Sequence, residues 1–418
     1  PVRARDVFTP GSFPTVTFVG DHLVEKQQIL RDALDSGNTV LALSGPSKSG
    51  KTVFVEKVVG KENLIHVTGS GIDSPGKLWK RVFDIIGTPV HITTAEERAG
   101  NLSSSTTGEV GVFVAKAQVQ ASASSSWRDS VTRERSVDYL QLLVREWKGT
   151  NFVLFIDDFH YIARDAQLEL AQHIKEAIRQ GVVIICASVP YHSDDVIRAN
   201  PDLRGRIVTI DFDYWQPEVL KRIAEQGFSA LGASTEAQFV SALADEAAGS
   251  PQLMQALCLN ACLAADFKEV RQGGFTFPCD QSFFKQVCMR TAMSADYGST
   301  VERMKEGPKT RGTERNRYRL INGDEADVYP IVLRAASQDP PRLNHRYNQL
   351  SERIGQICQG AVPVGSSVIG ACEHIATIAN TTTNSEVIEW DSENDVLDIR
   401  DPYLLFYLRW SEFEQDRP

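Results

Sequence analysis

The chain has 418 residues, 42% apolar and 23% charged, with a formal net charge of −10. This is an ordinary composition for folded protein, long enough for two or three domains. The net acidity argues against a protein whose whole surface binds nucleic acid, and no apolar run approaches the roughly 18 residues of a membrane span.

Pro1 to Phe8 is polar and charged, unlike a secretory leader. Seven cysteines without a C-x-x-C pair read as reduced thiols, with Cys186 and Cys258 in apolar runs as core, so a cytoplasmic protein is expected. Residues 1–15, with Pro10, Gly11 and Pro14, read as a loose N-terminal arm. Leu23, Ile29, Leu30 and Leu34 then line one face of a helix entered from Thr17-Phe18-Val19-Gly20. Thr39 to Ser44 is short and apolar, as a buried strand is. It leads into Gly45-Pro46-Ser47-Lys48-Ser49-Gly50-Lys51-Thr52, and a helix follows from Thr52 to Val59. G-x-x-x-x-G-K-T between a strand and a helix is the context of a phosphate-binding loop. Its backbone N–H groups and the positive helix end make an anion cradle. Gly45 and Gly50 are expected to let the backbone curl round phosphates where a Cβ would collide. Lys51 is placed for the β- and γ-phosphates, and the Thr52 hydroxyl for Mg²⁺. No N-K-x-D guanine signature occurs, so ATP is the expected nucleotide.

Leu64 to Val67 reads as a second strand, and Ser74 to Ile86 as a helix with Leu78, Trp79, Val82 and Phe83 at helical spacing. Residues 90–131 interrupt the pattern, with polar clusters at 103–107 and 121–126 around the alternating Val110, Val112 and Val114. An inserted hairpin or flap whose edge pairs with a neighbouring subunit, and a surface insertion without fixed structure, are both open readings. After a helix from Ser136 to Trp147, Asn151 to Asp158 is an apolar strand ending in two carboxylates, the Walker B pattern. Asp157 is placed to hold Mg²⁺ through water, and Asp158 to orient or deprotonate the attacking water. Being one methylene shorter than Glu, Asp158 implies slow turnover or mainly a binding switch, the alternative being a solvated acid at a strand end. A helix from Gln167 to Gln180 precedes strands at Val182–Ala187 and Ile207–Phe212. Ser188 follows the strand expected between the Walker A and Walker B strands. It is either a sensor of the γ-phosphate or a plain loop serine. Arg204 and Arg206 precede the last strand. Arg206 is the candidate arginine finger for a neighbour's nucleotide, the alternative being an ordinary ion pair. Continuous apolar strands alternating with helices give an α/β fold with a parallel five-stranded sheet over residues 16–214.

Beyond residue 214 the pattern is helical: Gln216–Leu231, Thr235–Ala247, Pro251–Ala265 and Asp280–Ser294 make a lid domain over 215–300. Residues 301–320 form a basic linker carrying Lys305, Lys309, Arg311, Arg315, Arg317 and Arg319. Residues 321–418 give helices near Glu325–Ala336, Leu343–Gln359 and Gly365–Ala379, then a hairpin from Val387 to Ile399, the winged-helix order. Tyr403 to Trp410 closes the chain as an aromatic helix. The third of these helices lacks Lys and Arg and carries Glu373, a poor composition for contacting phosphates. Protein packing is therefore the preferred role for the winged helix, and DNA binding through the basic stretch 305–319 is the alternative.

Together Phe18-Val19-Gly20, the loop at 45–52, Val153 to Asp158, Gly249-Ser250-Pro251 and the ending Asp401 to Trp410 carry a resemblance to a family. The chain resembles the STAND and origin-recognition-like branch of the AAA+ P-loop ATPases, and small prokaryotic ATPases with a C-terminal winged helix in particular. The resemblance implies that Val19, Gly20 and Pro251 pack beside the adenine of ATP, with Asp21 standing where the family usually has Arg. Gln252 does not supply a sensor arginine, which tilts the resemblance toward STAND. The resemblance also implies a slowly hydrolysing ATPase switch that self-associates or acts on a separate effector protein, in relatives often for antiviral defence. A DNA-binding initiator or transposition helper is the alternative.

Overall fold

The computed structural model describes residues 2–88, 139–189, 203, 205–309, 312 and 314–411. The expected insertion at 90–131 and Arg204 lie outside the described residues. Five parallel strands, β1 (Val40–Ser44), β2 (Leu64–Thr68), β3 (Val153–Asp157), β4 (Val183–Ser188) and β5 (Ile207–Asp211), form one sheet in the order β2-β3-β4-β1-β5. Their side chains divide by parity. Val40, Leu154, Ile156 and Ile184 face Leu78, Trp79, Phe83 and Leu170 on one side. Leu41, Leu43, Phe155 and Ile185 face Leu30, Phe54 and Val55 on the other. The period of two sends alternate residues to two helix layers, and burial of both faces is why the central strands β1, β3 and β4 are apolar along nearly their whole length, whereas the edge strands β2 and β5 carry exposed polar residues such as His66 and Thr209. Parallel strands bring their C-terminal ends to one edge. Ser44 pairs with Ser188, and Thr68 with Asp157, so the candidate phosphate loop and carboxylates share that edge.

The helices Pro217–Ala230, Ala237–Glu246, Pro251–Ala264 and Gln281–Met293 pack around Phe228, Leu253, Leu257 and Phe277. The structure corrects the expectation of a loose arm at residues 1–15. Ala4–Val7 is a short helix, Val7 and Phe8 are fully buried in the helical core, and the Phe8 ring meets Phe228 edge-on at 5.1 Å. Backbone bonds from Ala4 N to the Lys268 carbonyl and from Val270 N to the Val2 carbonyl fasten it. Burying one such phenyl ring is worth about 2–3 kcal/mol, enough to seat a short segment that has no periodic pattern of its own.

In the C-terminal region Asn344–Arg346 pairs with Val396–Ile399, which pairs with Ile388–Asp391, giving a three-stranded antiparallel sheet. The helices Val328–Ser337, Tyr347–Ile357 and Gly365–Thr383 cover it. The closing helix Pro402–Trp410 is shared: Leu404, Leu405 and Leu408 lie in this core, whereas Phe406 lies in the preceding helical one. No helix among the described residues is long and apolar enough to cross a membrane.

His345 is fully buried in this sheet, with Nε2 3.0 Å from the Arg342 carbonyl. Burial, and then the Arg353 guanidinium, push its pKa down to about 4. A histidine whose folded pKa is depressed contributes stability above its unfolded pKa near 6.5. That stability is lost as the pH falls through 6.5 toward 4. Urea-unfolding midpoints should therefore drop more steeply between about pH 7 and pH 4.5 in the wild type than in His345→Gln, by about 2–3 kcal/mol.

Candidate functional site

The loop Gly45–Gly50 joins β1 to the helix Lys51–Val59 at the C-terminal edge of the sheet. Lys51 folds back across it, Nζ donating to the Gly45 and Pro46 carbonyls at 2.7 Å each. Burial lowers the Lys51 pKa to about 8, with Asp157 and Asp158 pulling the other way, so the ammonium stays charged at neutral pH. Gly50 has φ +95°, in the left-handed region that glycine favours. Gly45 is needed for a different reason from the one expected. A Cβ there would lie 2.5 Å from the Phe212 Cβ, so the position is closed by the end of β5.

Thr52 Oγ1 donates to Asp157 Oδ2 at 2.7 Å, and His66 Nε2 lies 3.4 Å from the same oxygen. Burial by itself would raise the Asp157 pKa. The His66 and Thr52 hydrogen bonds, with the charges of His66 and Lys51, together outweigh it and hold the carboxyl below its ordinary value. Burial, and then the Asp157 charge, raise Asp158 to about 6. Adjacent carboxylates whose environments drive their pKa values apart have different chemical tasks available: one stays ionised, the other exchanges a proton near neutrality. Asp158 holds φ +54° at the turn after β3, an uncommon conformation for a non-glycine residue. The Thr52 and Asp157 oxygens are hard donors that fit Mg²⁺, an ion that keeps most of its shell as water and phosphate. No cluster of three His, Cys, Asp or Glu suited to holding a metal ion occurs among the described residues.

A cavity of about 430 Å³ opens beside these groups. Ser47, Lys48, Gly50, Lys51, Thr52, Asp157 and Asp158 line its polar end. Phe13, Phe18, Val19, Trp215 and Pro251 line its apolar end. Val19 and Pro251, the residues the resemblance assigned to the adenine, both line this apolar end. Gly20 lies behind Phe18, whose ring would sit 2.5 Å from a Cβ there. Asp21 pairs with Arg222 of the helix Pro217–Ala230 at 2.6 Å. Three contributors are not visible in the sequence pattern. The seated arm brings Phe13 in, stacked on Phe18 at 5.9 Å. Trp215 donates Nε1–H to the Ser49 carbonyl at 2.9 Å, bracing the phosphate loop from the helical side. His66 reaches Asp157 from the neighbouring strand. A tryptophan at the junction of strand and helix patterns was the one available signal for Trp215.

Ser188 ends β4 between β1 and β3, and its carbonyl accepts from Gly45 N at 3.3 Å, with the side chain buried. Arg206 lies at the opposite edge of the sheet, where its carbonyl accepts from Val40 N at 2.8 Å. It cannot reach this chain's own phosphate loop.

No protein-family model matches the chain, and no curated protein matches it. Solved structures do. The Walker-type ATPase of Pyrococcus abyssi is 14% identical over 92% of this chain and 95% of that one, with a TM-score of 0.53. The ORC2 protein of Aeropyrum pernix, in its ADPNP–ADP complexes, is 12% identical over 97% and 96%, with a TM-score of 0.49. Cdc6p of Pyrobaculum aerophilum is 14% identical over 96% of each chain, with a TM-score of 0.46. The likeness to the Walker-type ATPase, with the sheet order and the phosphate loop, shows the fold: this chain has the P-loop α/β fold of that ATPase.

Proposed function

We propose that the protein binds ATP with Mg²⁺, hydrolyses it slowly, and uses the nucleotide state to switch its self-association or its hold on a partner protein. The observation that carries this reading is the convergence of Lys51, Thr52, Asp157 and Asp158 on one cavity. The amide end of the helix Lys51–Val59 and the Lys51 ammonium receive the phosphates. Thr52 and Asp157 would hold Mg²⁺, which supplies charge neutralisation to the transferring phosphoryl group. Asp158 takes the proton of the attacking water, and Phe13, Phe18, Val19 and Pro251 enclose the base.

The cavity walls come from the arm, the sheet region and the helical region together, so a ligand bound there biases how those regions sit on one another. Arg206, on the far edge of the sheet, serves catalysis only if a second copy presents its site to it. The C-terminal region is then a winged helix that packs on protein. Its helix Gly365–Thr383 lacks Lys and Arg. Part of the basic stretch has structural partners: Lys305 pairs with Glu302 at 2.6 Å, and Arg315 pairs with Asp327 at 2.9 Å and lies over the Tyr329 ring.

Solution mass measured with Mg-ATP, with Mg-ADP, and for Lys51→Ala in Mg-ATP tests the switch. A rise in mass with the triphosphate, absent in the variant, is expected. An unchanged mass in all three, with ATP bound by the wild type, would overturn self-association and leave the partner-protein form of the switch.

A further inference from the structure

Lys48 sits in the phosphate loop at φ +58°, a conformation that disfavours any side chain with a Cβ. Strain at such a place calls for whatever holds it. The Lys48 ammonium lies 2.7 Å from both carboxylate oxygens of Asp401, 353 residues along the chain, and 4.5 Å from the centre of the Tyr403 ring. Tyr297 donates its hydroxyl to the same carboxylate at 2.7 Å. Burial, and then the Asp401 charge, keep that phenol far above its ordinary pKa, so it remains a donor. Asp401 also caps the helix Pro402–Trp410, accepting from Tyr403 N at 2.9 Å. Both partners are largely screened from water, with side chains 27% and 14% exposed.

A second tie lies beside the first. Tyr161, in the turn that follows Asp158, accepts from the Glu386 N–H at 3.3 Å. Glu386 pairs with Arg400, and the Arg400 and Asp401 amides both donate to the Val387 carbonyl. The phosphate loop and the turn after the carboxylates are thus fastened to one small patch of the C-terminal region. Lys48 stands on the wall between the nucleotide cavity and the cleft that holds Asp401.

We propose that Lys48 and Asp401 form a latch in which a carboxylate of the C-terminal region competes with nucleotide phosphates for the loop lysine. A triphosphate, carrying more charge than a diphosphate, draws Lys48 away and loosens the C-terminal region. Reciprocally, the latch weakens triphosphate binding, because coupling between two sites acts equally in both directions. The inference rests on the nucleotide reading above.

Asp401→Asn removes the charge and keeps a side chain that caps a helix equally well. Calorimetric titration of the full chain should show this variant binding Mg-ADPNP about 5-fold or more tighter than the wild type, with a smaller gain for Mg-ADP. In a Lys48→Gln background the same substitution should add nothing, which assigns the effect to the pair. A readout without any variant is amide hydrogen exchange over residues 402–410, which should be faster with Mg-ADPNP than with Mg-ADP. Unchanged or weaker Mg-ADPNP affinity in Asp401→Asn, or equal exchange with the two nucleotides, overturns the latch alone. A wild type that binds neither nucleotide overturns the nucleotide reading and the latch with it.

Discussion

Asp158→Asn should lower ATP turnover by about 100-fold or more while nucleotide affinity stays near the wild-type value. The substitution keeps the size of the side chain and removes its negative charge and its ability to take a proton. Asp158 is the group suited to that task because its neighbour is committed elsewhere. Asp157 accepts from Thr52 and lies against His66, which hold it ionised, whereas burial and the Asp157 charge bring Asp158 to about 6. A base with a pKa near the working pH is both deprotonated and strong enough to act. Asp157→Asn should behave differently: it removes an oxygen charge from the Mg²⁺ site, so Mg²⁺-dependent binding weakens along with turnover. Phosphate release measured at neutral pH, beside nucleotide titration of the same samples, separates the two. Wild-type turnover in Asp158→Asn would show that the proton leaves by another route. Asp158→Glu, which restores the missing methylene, should turn over no more slowly than the wild type.

The parts of this site that could be read from the sequence are those where neighbours in the chain are neighbours in space. The loop 45–52 announces itself by spacing. Asp157 and Asp158 do so because four apolar residues precede them in a strand buried on both faces. The five strands are legible for the same reason, and parallel pairing then fixes which ends meet. The hidden parts are made by pairs far apart in the chain. Trp215 reaches Ser49 across 166 residues, and Lys48 reaches Asp401 across 353. Nothing local marks either contact. The arm reads as loose because Val7 and Phe8 are too few to show a period, and their burial is decided by Phe228. Helix ends in the C-terminal region differ from expectation for definable reasons. Asp327 caps the helix that starts at Val328, accepting from Tyr329 N at 3.0 Å, so Glu325 and Ala326 are left to pair with Tyr318 and Arg319 instead. Asn344–Arg346, expected at the start of a helix, is a strand because Val396–Ile399 offers it an unpaired edge.

Arg409→Met should cost about 3–5 kcal/mol of stability, the scale of breaking a buried ion pair by removing one partner. The Arg409 side chain is 1% exposed, and its guanidinium grips Glu246 twice, Nε at 2.9 Å and Nη2 at 2.6 Å. It also donates to the Ser337 carbonyl and to Asp339 at 2.6 Å each. Burial, the largest single influence, would lower its pKa, but the hydrogen bonds and charges of Glu246 and Asp339 together more than reverse that. Methionine fills much of the space and leaves Glu246 buried with a charge that, among the described residues, only the Trp410 N–H still serves. The penalty comes from that uncompensated carboxylate, so Arg409→Met with Glu246→Gln should recover most of the loss in urea unfolding. Equal midpoints for the wild type and Arg409→Met would show that the pair contributes nothing net. The position of this pair gives it a role in the proposed switch. Glu246 ends the helix Ala237–Glu246, while Ser337 and Asp339 belong to the C-terminal region. Arg409 therefore joins these two regions at one end of the helix Pro402–Trp410, and Asp401 joins the phosphate loop at the other. A buried, multiply bonded guanidinium is a fixed attachment, whereas a lysine within reach of competing phosphates is a releasable one. A switch that moves the C-terminal region needs both, and breaking the fixed end should uncouple nucleotide from exchange at residues 402–410 even where the latch is intact.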